Sequence, residues 1–507
     1  MSKTKNAYRI FLILSFIGIN TLIIFGIGAI LSYLNTGADK STMLHLEQEV
    51  HEVYLPKVKW TDTIGEGRPM SKQILGEIER DYKRAWYVRN LAFRTNDMQG
   101  LKDYYTDSSL VKLKRILAFN KEEDTHVLTT TLNHNPDLEF FSADGQLVVF
   151  QDNNVTRYSQ TFKKDKLLFS KKDTTNYRVI MLLEDGFWRI RHLLEVEQDS
   201  LQTNTTDKIG LSPEVKHIRG VNYYPKNAAW NMFGDNFDSL AIKKDIKLIQ
   251  EMGLNMIRVF IPYEAFGKNK VDQNKLNQVV QVLDFAEERD INVMITLFDF
   301  YGNYDITDWT LTHRHAEVIV NAIKNHPALL GWDIKNEPDL DFDNRKKYRV
   351  TAWLEEMIAQ IKEWDTEHPI TIGWSSAESA INLSKKVDIV SFHYYEELGQ
   401  FTEKYKALKK IVSANKPIFL QEYGTSSYGG LWKGFMGSEK KQADYYNEIQ
   451  GYIKQEQLPF AFWGLYDFEE VPASVVGRLP WRRTPQKYYG CIDTAGNKKL
   501  SYSELAK

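Results

Sequence analysis

From residue 213 to the end of the chain, short apolar runs alternate with longer segments in which apolar residues recur every three or four positions. The runs are IRGVNYYP (218 to 225), MIRVFIPY (256 to 263), NVMITLFDF (292 to 300), LLGWDIKNEP (329 to 338), ITIGWS (370 to 375), DIVSFHYY (388 to 395), PIFLQEYG (417 to 424) and FAFWGLYDF (460 to 468). Near-continuous apolarity over five to ten residues marks strands buried on both faces, as in a parallel sheet. Between them, SLAIKKDIKLIQEMG, KLNQVVQVLDFAEERD, VTAWLEEMIAQIKEWD and QADYYNEIQGYIKQE each carry an apolar stripe on an otherwise charged helix. Eight strands, each followed by a helix or connection, predict an α/β domain over 213–507, a closed (β/α)8 TIM barrel. An open doubly wound sheet is the rival architecture, but it usually shows a glycine-rich phosphate turn after its first strand, and GVNYYP has none.

Upstream the pattern differs. Ile74, Ile78, Tyr82, Trp86 and Leu91 recur at helical spacing after Ser71, and Leu101 to Phe119 gives a second helical stretch. Beyond them the period falls towards two, in LEFFSADGQLVVF and YRVIMLLEDGFWRIRHL, where Asp144-Gly145 and Asp185-Gly186 mark hairpin turns. Residues 70–198 therefore predict an α+β domain of helices followed by a curved antiparallel sheet, bounded by polar linkers at 36–69 and 199–212. His126, His134 and His192 are scattered through it and read as surface or satisfied histidines.

The run Ile10 to Leu34 carries no charge and would span about 37 Å as a helix, enough for a hydrocarbon core of about 30 Å. Lys3, Lys5 and Arg9 precede it, so residues 1–35 predict a cytoplasmic tip and one transmembrane helix in the inner (cytoplasmic) membrane, with the domains outside the cytoplasm. A cleaved signal peptide is the competing expectation; its apolar core would be shorter and followed by a small-residue cleavage site.

Composition narrows the function. Sixty-five basic residues against 67 acidic ones leave a formal charge of −2, which supplies no field for nucleic acid. The single cysteine, Cys491, excludes an internal disulfide and a zinc-thiolate site, and neither a metal nor a cofactor is expected.

Active sites of such barrels lie at the C-terminal ends of the strands. The residues there are polar and aromatic: Tyr223, Tyr224, Arg258, Asp299, Asn336, Glu337, Trp374, His393, Tyr395, Glu422 and Trp463. Glu337 and Glu422 each end a strongly apolar strand, where an unpaired carboxylate would cost several kcal/mol to bury. Two carboxyl groups across one barrel mouth match the needs of glycoside hydrolysis, an acid for the leaving oxygen and a carboxylate to attack the anomeric carbon.

At these residues the chain resembles the clan A glycoside hydrolases, especially family 5 and the catalytic domain of family 2, over about 212 to 507. GWDIKNEPD resembles the signature of that clan's fourth strand, which implies Asn336 on the 2-hydroxyl of the reacting sugar and Glu337 as acid/base. KPIFLQEYG is similar to the seventh-strand signature, which implies Glu422 as nucleophile. By the same resemblance Tyr395 in VSFHYY would hydrogen-bond the nucleophile, His393 would line the site, Arg258 in MIRVFI would keep Glu422 ionised, and Trp463 in FAFWGL would floor the sugar subsite. The expected carboxyl separation is about 5 to 5.5 Å, that of retaining enzymes, with Glu337 held protonated beside the ionised nucleophile. LFDFYG departs from the family 5 cellulases, having Asp299 near a position where many carry a histidine, and this puts cellulase-type contacts in doubt. The upstream domain, ending in DGFWRIRHL, resembles the nuclear transport factor 2-like cone fold.

These readings imply a retaining β-glycosidase, an endo-glycanase or transglycosylase, acting on a β-linked oligo- or polysaccharide, with 70–198 as a surface for an envelope polysaccharide-assembly partner. The alternative is a non-catalytic glycan-binding protein; a pure binder has no need of two facing carboxylates. A phosphate-binding barrel lacks its glycine-rich loop. Trp309, Trp432 and Trp481 fall in post-strand loops, either as platforms for sugar rings or as loop packing. The segment PASVVGRLPWRRTPQKYYGCIDTAGN is rich in Trp and Arg for a connection after the eighth strand.

Overall fold

The computed structural model describes residues 14–27, 53–196, 217–477 and 479–506, and the chain divides into two compact units. Of the run Ile10 to Leu34, residues 14–27 are described and form a helix with exposed Leu, Ile and Phe side chains. Among the described residues no helix is long and apolar enough to cross a membrane. The rest of that run, the stalk up to residue 52 and the linker 199–212 lie outside the described residues.

In the first unit, α1 (Lys72–Thr95) starts where the Ser71 hydroxyl accepts from Ile74 N, and it buries Ile78, Tyr82 and Trp86. The predicted stretch Leu101 to Phe119 is not one helix: a turn at Leu101–Tyr104 is separated from α2 (Asp107–Glu122) because Tyr105 is extended and bridges to Ile190. Strands β1 (Pro136–Phe141), β2 (Leu147–Lys163), β3 (Lys166–Glu184) and β4 (Phe187–Val196) pair antiparallel in that order. Asp185-Gly186 makes the β3–β4 turn, with φ of 51° and 81°. The β2–β3 turn is Lys164-Asp165, both at positive φ (47° and 59°), a primed turn built without glycine. His134 is core: its Nδ1 lies 2.6 Å from Asp152 Oδ2, which also accepts from Tyr82. His192 Nδ1 is 2.9 Å from Ser108 Oγ, and His126 stacks on Phe162.

The second unit contains a closed parallel barrel of eight strands. They are β5 (Arg219–Asn222), β6 (Met256–Pro262), β7 (Asn292–Asp299), β8 (Leu329–Asn336), β9 (Ile370–Trp374), β10 (Val390–Tyr394), β11 (Ile418–Tyr423) and β12 (Phe460–Phe462). Helices α3 (Ser239–Glu251), α4 (Gln273–Glu287), α5 (Trp309–Ile323), α6 (Lys347–Trp364), α7 (Phe401–Ile411) and α8 (Glu439–Glu456) follow β5 to β8, β10 and β11. Asp238, Asp272 and Ser438 accept from the first free amides of α3, α4 and α8, which fixes where those helices begin.

The barrel interior is layered. Ile218, Met256, Met294, Leu330, Ile389, Phe419 and Ala461 form a buried apolar cluster. Two residues further along several of these strands the inward positions turn polar: Arg258, Thr296, Ser391 and Gln421 are all fully buried. This polar girdle supports the mouth.

Candidate active site

Strand β8 ends because Pro338 cannot donate to the ladder, and Glu337 just before it adopts a left-handed backbone (φ 46°) anchored by its N–H to Gly373 O at 2.7 Å. A non-glycine residue in that region costs of order 1–3 kcal/mol and persists where the surroundings enforce it. Across the mouth, Glu422 ends β11. One side-chain oxygen of Glu337, one of Glu422 and a ring nitrogen of His393 all lie within 4.8 Å of one another.

Both oxygens of Glu422 are held. Arg258 Nη1 donates to Oε2 at 3.0 Å, and Tyr395 OH donates to Oε1 at 2.6 Å. Tyr395 lies one residue beyond β10 and is 39% exposed as a residue, while its hydroxyl reaches Glu422. Burial and the Glu422 charge push that phenol well above its ordinary range, so it remains a donor.

Arg258 is completely buried and branches in two directions. Its Nε and Nη2 donate to Asp333 Oδ2 at 3.0 and 2.6 Å, while Nη1 serves Asn222 Oδ1 and Glu422, and Nη2 also serves Asn336 Oδ1 at 2.9 Å. Burial opposes its charge, but Asp333 and Glu422 outweigh burial and hold the guanidinium above its ordinary pKa. Asp333 in turn accepts from Thr296 Oγ1 and Gly373 N. The expectation that Arg258 serves Glu422 is therefore half of the arrangement; Asp333 carries the other half. A charged residue in the middle of an apolar run is itself unusual, and that was the available signal for Asp333.

Asn336 gives its carbonyl oxygen to Arg258, which leaves the amide NH2 as the group it can offer outward. His393 Nδ1 lies 2.9 Å from Glu337 Oε1. Burial pushes Glu337 up, but the hydrogen bond and charge of His393, with Arg258 and Lys335 behind them, win and lower its pKa. Burial lowers His393, yet Glu422 and Glu337 outweigh it and raise it. The expected protonation of Glu337 beside the nucleophile is thus opposed in the unliganded site by the His393 hydrogen bond, which favours the charged carboxylate. The neighbour that decides this is the histidine, more than the nucleophile.

Trp463, Tyr224 and Asp299 line the same cavity of about 540 Å³ as Glu337 and Glu422. Trp463 is nearly buried, edge-on to Tyr224 and Phe260 at 6.2 and 6.3 Å. Asp299 is 3.5 Å from Tyr224 OH, and burial raises its carboxyl to about 6 against the pull of Lys335 and Arg258. Lys335, which sequence reasoning passed over, also lines the cavity, with Nζ 3.1 Å from Asn336 O. Tyr223 points away, donating to Asp245, and Trp374 is fully buried. Trp309 is 1% exposed and donates to Tyr304 O, so it packs the start of α5 and is no platform. Trp432 and Trp481 are exposed, with ring centroids 6.1 Å apart.

The donor set of Glu337, His393 and Glu422 has the composition of a cation site, but three of the four carboxylate oxygens already accept from Arg258, Tyr395 and His393. What remains is proton and nucleophile chemistry between two carboxyl groups.

A closed parallel barrel with this pair at its mouth has the layout of a glycoside hydrolase domain. Residues 217–469, just under half of the chain, match the model of the family described as cellulase (glycosyl hydrolase family 5). Among curated proteins the chain is 25% identical to human β-glucuronidase over 288 residues, 52% of this chain and 40% of the relative. It is 25% identical to the 1,3-β-glucanosyltransferase gas4 of Schizosaccharomyces pombe over 278 residues, 50% of this chain and 57% of the relative. The chain thus spans about two-fifths to just under three-fifths of the length of these relatives. Among solved structures, an exo-β-1,4-mannosidase from an Opitutaceae bacterium aligns at TM-score 0.47 and 17% identity, covering 57% of this chain and 58% of the other.

Proposed function

We propose that the barrel is a retaining β-glycosidase, an endo-glycanase or transglycosylase, that works by double displacement. One observation carries this reading: an oxygen of Glu337 and an oxygen of Glu422 lie within 4.8 Å of each other across the mouth, a spacing that fits the roughly 5 to 5.5 Å carboxyl separation of retaining pairs.

Arg258 and Tyr395 aim the Glu422 carboxylate, which attacks the anomeric carbon. The proton shared between His393 and Glu337 moves onto Glu337 as the leaving oxygen approaches and is donated there. In the second half Glu337 takes a proton from water, or from a second sugar in transglycosylation. The NH2 of Asn336 is free to meet the 2-hydroxyl, and Trp463 floors the ring.

The substrate in this reading is a β-linked polysaccharide outside the cytoplasm, reached by a chain whose segment Ile10 to Leu34 follows three basic residues. Residues 70–198 would then face an assembly partner. Glu422→Gln is expected to abolish turnover. Glu337→Ala is expected to react with an activated aryl β-glycoside, whose leaving group needs no proton, and to accumulate a glycosyl-enzyme detectable by mass on the peptide carrying Glu422. Product of inverted anomeric configuration overturns the proposal.

A further inference from the structure

The loop after β11 is a closed, preformed structure whose apolar side chains face outward. Its ends meet: a Cβ on Gly429 would lie 2.4 Å from Gly437 O, so that approach is open only to glycine. Between them the backbone bonds to itself, Lys433 N and Phe435 N to Gly430 O, and Met436 N to Lys433 O. Compact loops of this type normally pack their own side chains inward. Here Leu431, Phe435 and Met436 are 62%, 72% and 68% exposed, and Trp432 is exposed beside them.

The connection after β12 extends the same patch. Trp481 sits 6.1 Å from Trp432, Tyr488 lies 5.4 Å from Tyr428, and Leu479 is also exposed. The two loops are fastened by Ser426 Oγ to Pro485 O and Ser427 N to Tyr488 O. Residues 425–438 and 471–489 together hold five basic residues, Lys433, Arg478, Arg482, Arg483 and Lys487, with exposed Glu439, Glu469 and Glu470 at their borders; Arg483 and Lys487 donate to Val471 O and Glu469 O, which leaves Lys433 and Arg482 as the described cations beside the apolar tip. Lys433 has no ion pair among the described residues and is half-buried, and that burial lowers its pKa. The patch is continuous with the mouth, since Val475, Gln486 and Tyr489 line the cavity.

From these features we infer that the paired loops 428–438 and 479–488 dock the barrel mouth on an anionic lipid surface, with Leu431, Trp432, Phe435, Met436 and Trp481 entering the interface and Lys433 and Arg482 meeting the headgroups. An apolar tip flanked by Lys433 and Arg482 gains from an apolar phase under a negative surface. A glycan offers faces for the tryptophans but nothing for protruding Leu, Phe and Met. The inference is independent of the proposed hydrolysis and of Ile10 to Leu34.

The test uses the full chain in vesicles of phosphatidylcholine with or without phosphatidylglycerol, carrying an environment-sensitive label at Phe435→Cys or, as reference, Leu240→Cys on α3. Cys491 is completely buried with its thiol pushed up to about 12, so the label goes to the introduced site. The expected result is a blue shift and quenching by spin-labelled lipid at 435 and none at 240, stronger with phosphatidylglycerol and weakened by salt. Unfolding curves of the labelled variants establish that both are folded. Equal, water-like signals at 435 and 240 overturn the inference, as does a label at 435 that responds to a soluble acidic polysaccharide and not to anionic vesicles. Lys433→Glu, outside the cavity lining, is expected to reduce the shift at 435 without altering the unfolding midpoint.

Discussion

Gly373, in the middle of the wall between the two carboxyl groups, offers the sharpest test of how tightly the girdle holds the site. A Cβ built there would lie 2.6 Å from Gln421 Oε1, 2.8 Å from Arg258 Nη2 and 3.0 Å from His393 Nε2. Ordinary contact begins near 3.4 Å, so all three neighbours are too close by several tenths of an ångström. None of them has open space to enter, because Gln421, Arg258 and His393 are each fully buried. Overpacking of this kind costs about 1–3 kcal/mol of stability. The catalytic cost depends on which neighbour yields. Arg258 is tied to Asp333, Asn222, Asn336 and Glu422, and movement of its fork weakens the 3.0 Å bond to Glu422. A hydrogen bond to a charged group is worth roughly 1.5–3 kcal/mol, which is about ten- to hundredfold in rate. Gly373→Ala is therefore expected to lower kcat/KM on an activated aryl β-glycoside by about that factor, and to lower the urea midpoint. Gln421→Ala removes the nearest neighbour and is expected to restore much of both losses in the double variant. Wild-type kinetics and stability in Gly373→Ala would refute the argument that these side chains are jammed against the strand.

Further expectations rest on the contacts of the site and of the helices around it. Arg258→Lys keeps the charge but cannot fork between Asp333 and Glu422, so kcat should fall at least about tenfold with the fold retained. Arg258→Ala strands the Asp333 carboxylate and is expected to cost about 3–5 kcal/mol in unfolding experiments, and Tyr395→Phe should cut kcat through the lost 2.6 Å bond. For pH, the raised His393 contributes stability that is complete below its ordinary 6.5 and is lost as pH rises through its folded value; the lowered Glu337 contributes stability present above its ordinary 4.5 and lost as pH falls through its folded value. The pair is therefore most stabilising between about 4.5 and 6.5, and His393→Gln should flatten that part of the stability profile and move the basic limb of kcat/KM to lower pH. Trp309→Ala should cost about 3–5 kcal/mol of stability while leaving KM for oligosaccharides unchanged, as befits a buried ring.

The eight strands were legible because burial on both faces leaves an apolar run whatever the register, and the observed strands all fall within the runs read from the sequence. FAFWGLYDF shows the limit: nine residues read as strand, but only Phe460–Phe462 joins the ladder, since beyond it the chain turns aside and Trp463 faces the cavity. The β2–β3 turn was hidden because Lys164 and Asp165 take positive φ without the glycine that would announce it. Trp309 stayed open between platform and packing because a tryptophan after a strand looks the same in sequence whether it faces solvent or the back of a helix.

The deeper obstacle lies at the strand ends. Alternation by two carries a face assignment only while the ladder is regular, and the barrel breaks its register just below the mouth. The β6–β7 pairing shifts between Phe260 and Pro262, the β8–β9 pairing between Asp333 and Asn336, and the β10–β11 pairing between Phe392 and His393. Each shift re-aims the residues after it. That is how His393 comes to pair with Glu422, how Tyr395 reaches it from beyond the strand, and how Asn336 and Asp333 both serve Arg258 from one strand at a spacing of three. Regular pleating would put Asn336 and Asp333 on opposite faces. The residues that bear the chemistry could be listed from the strand ends, but their partners depend on these bulges, and a bulge has no apolar signature. The polar girdle is the consequence: Asp333, Thr296 and Asn222 are needed because Arg258 brings a buried charge that Glu422 alone does not satisfy.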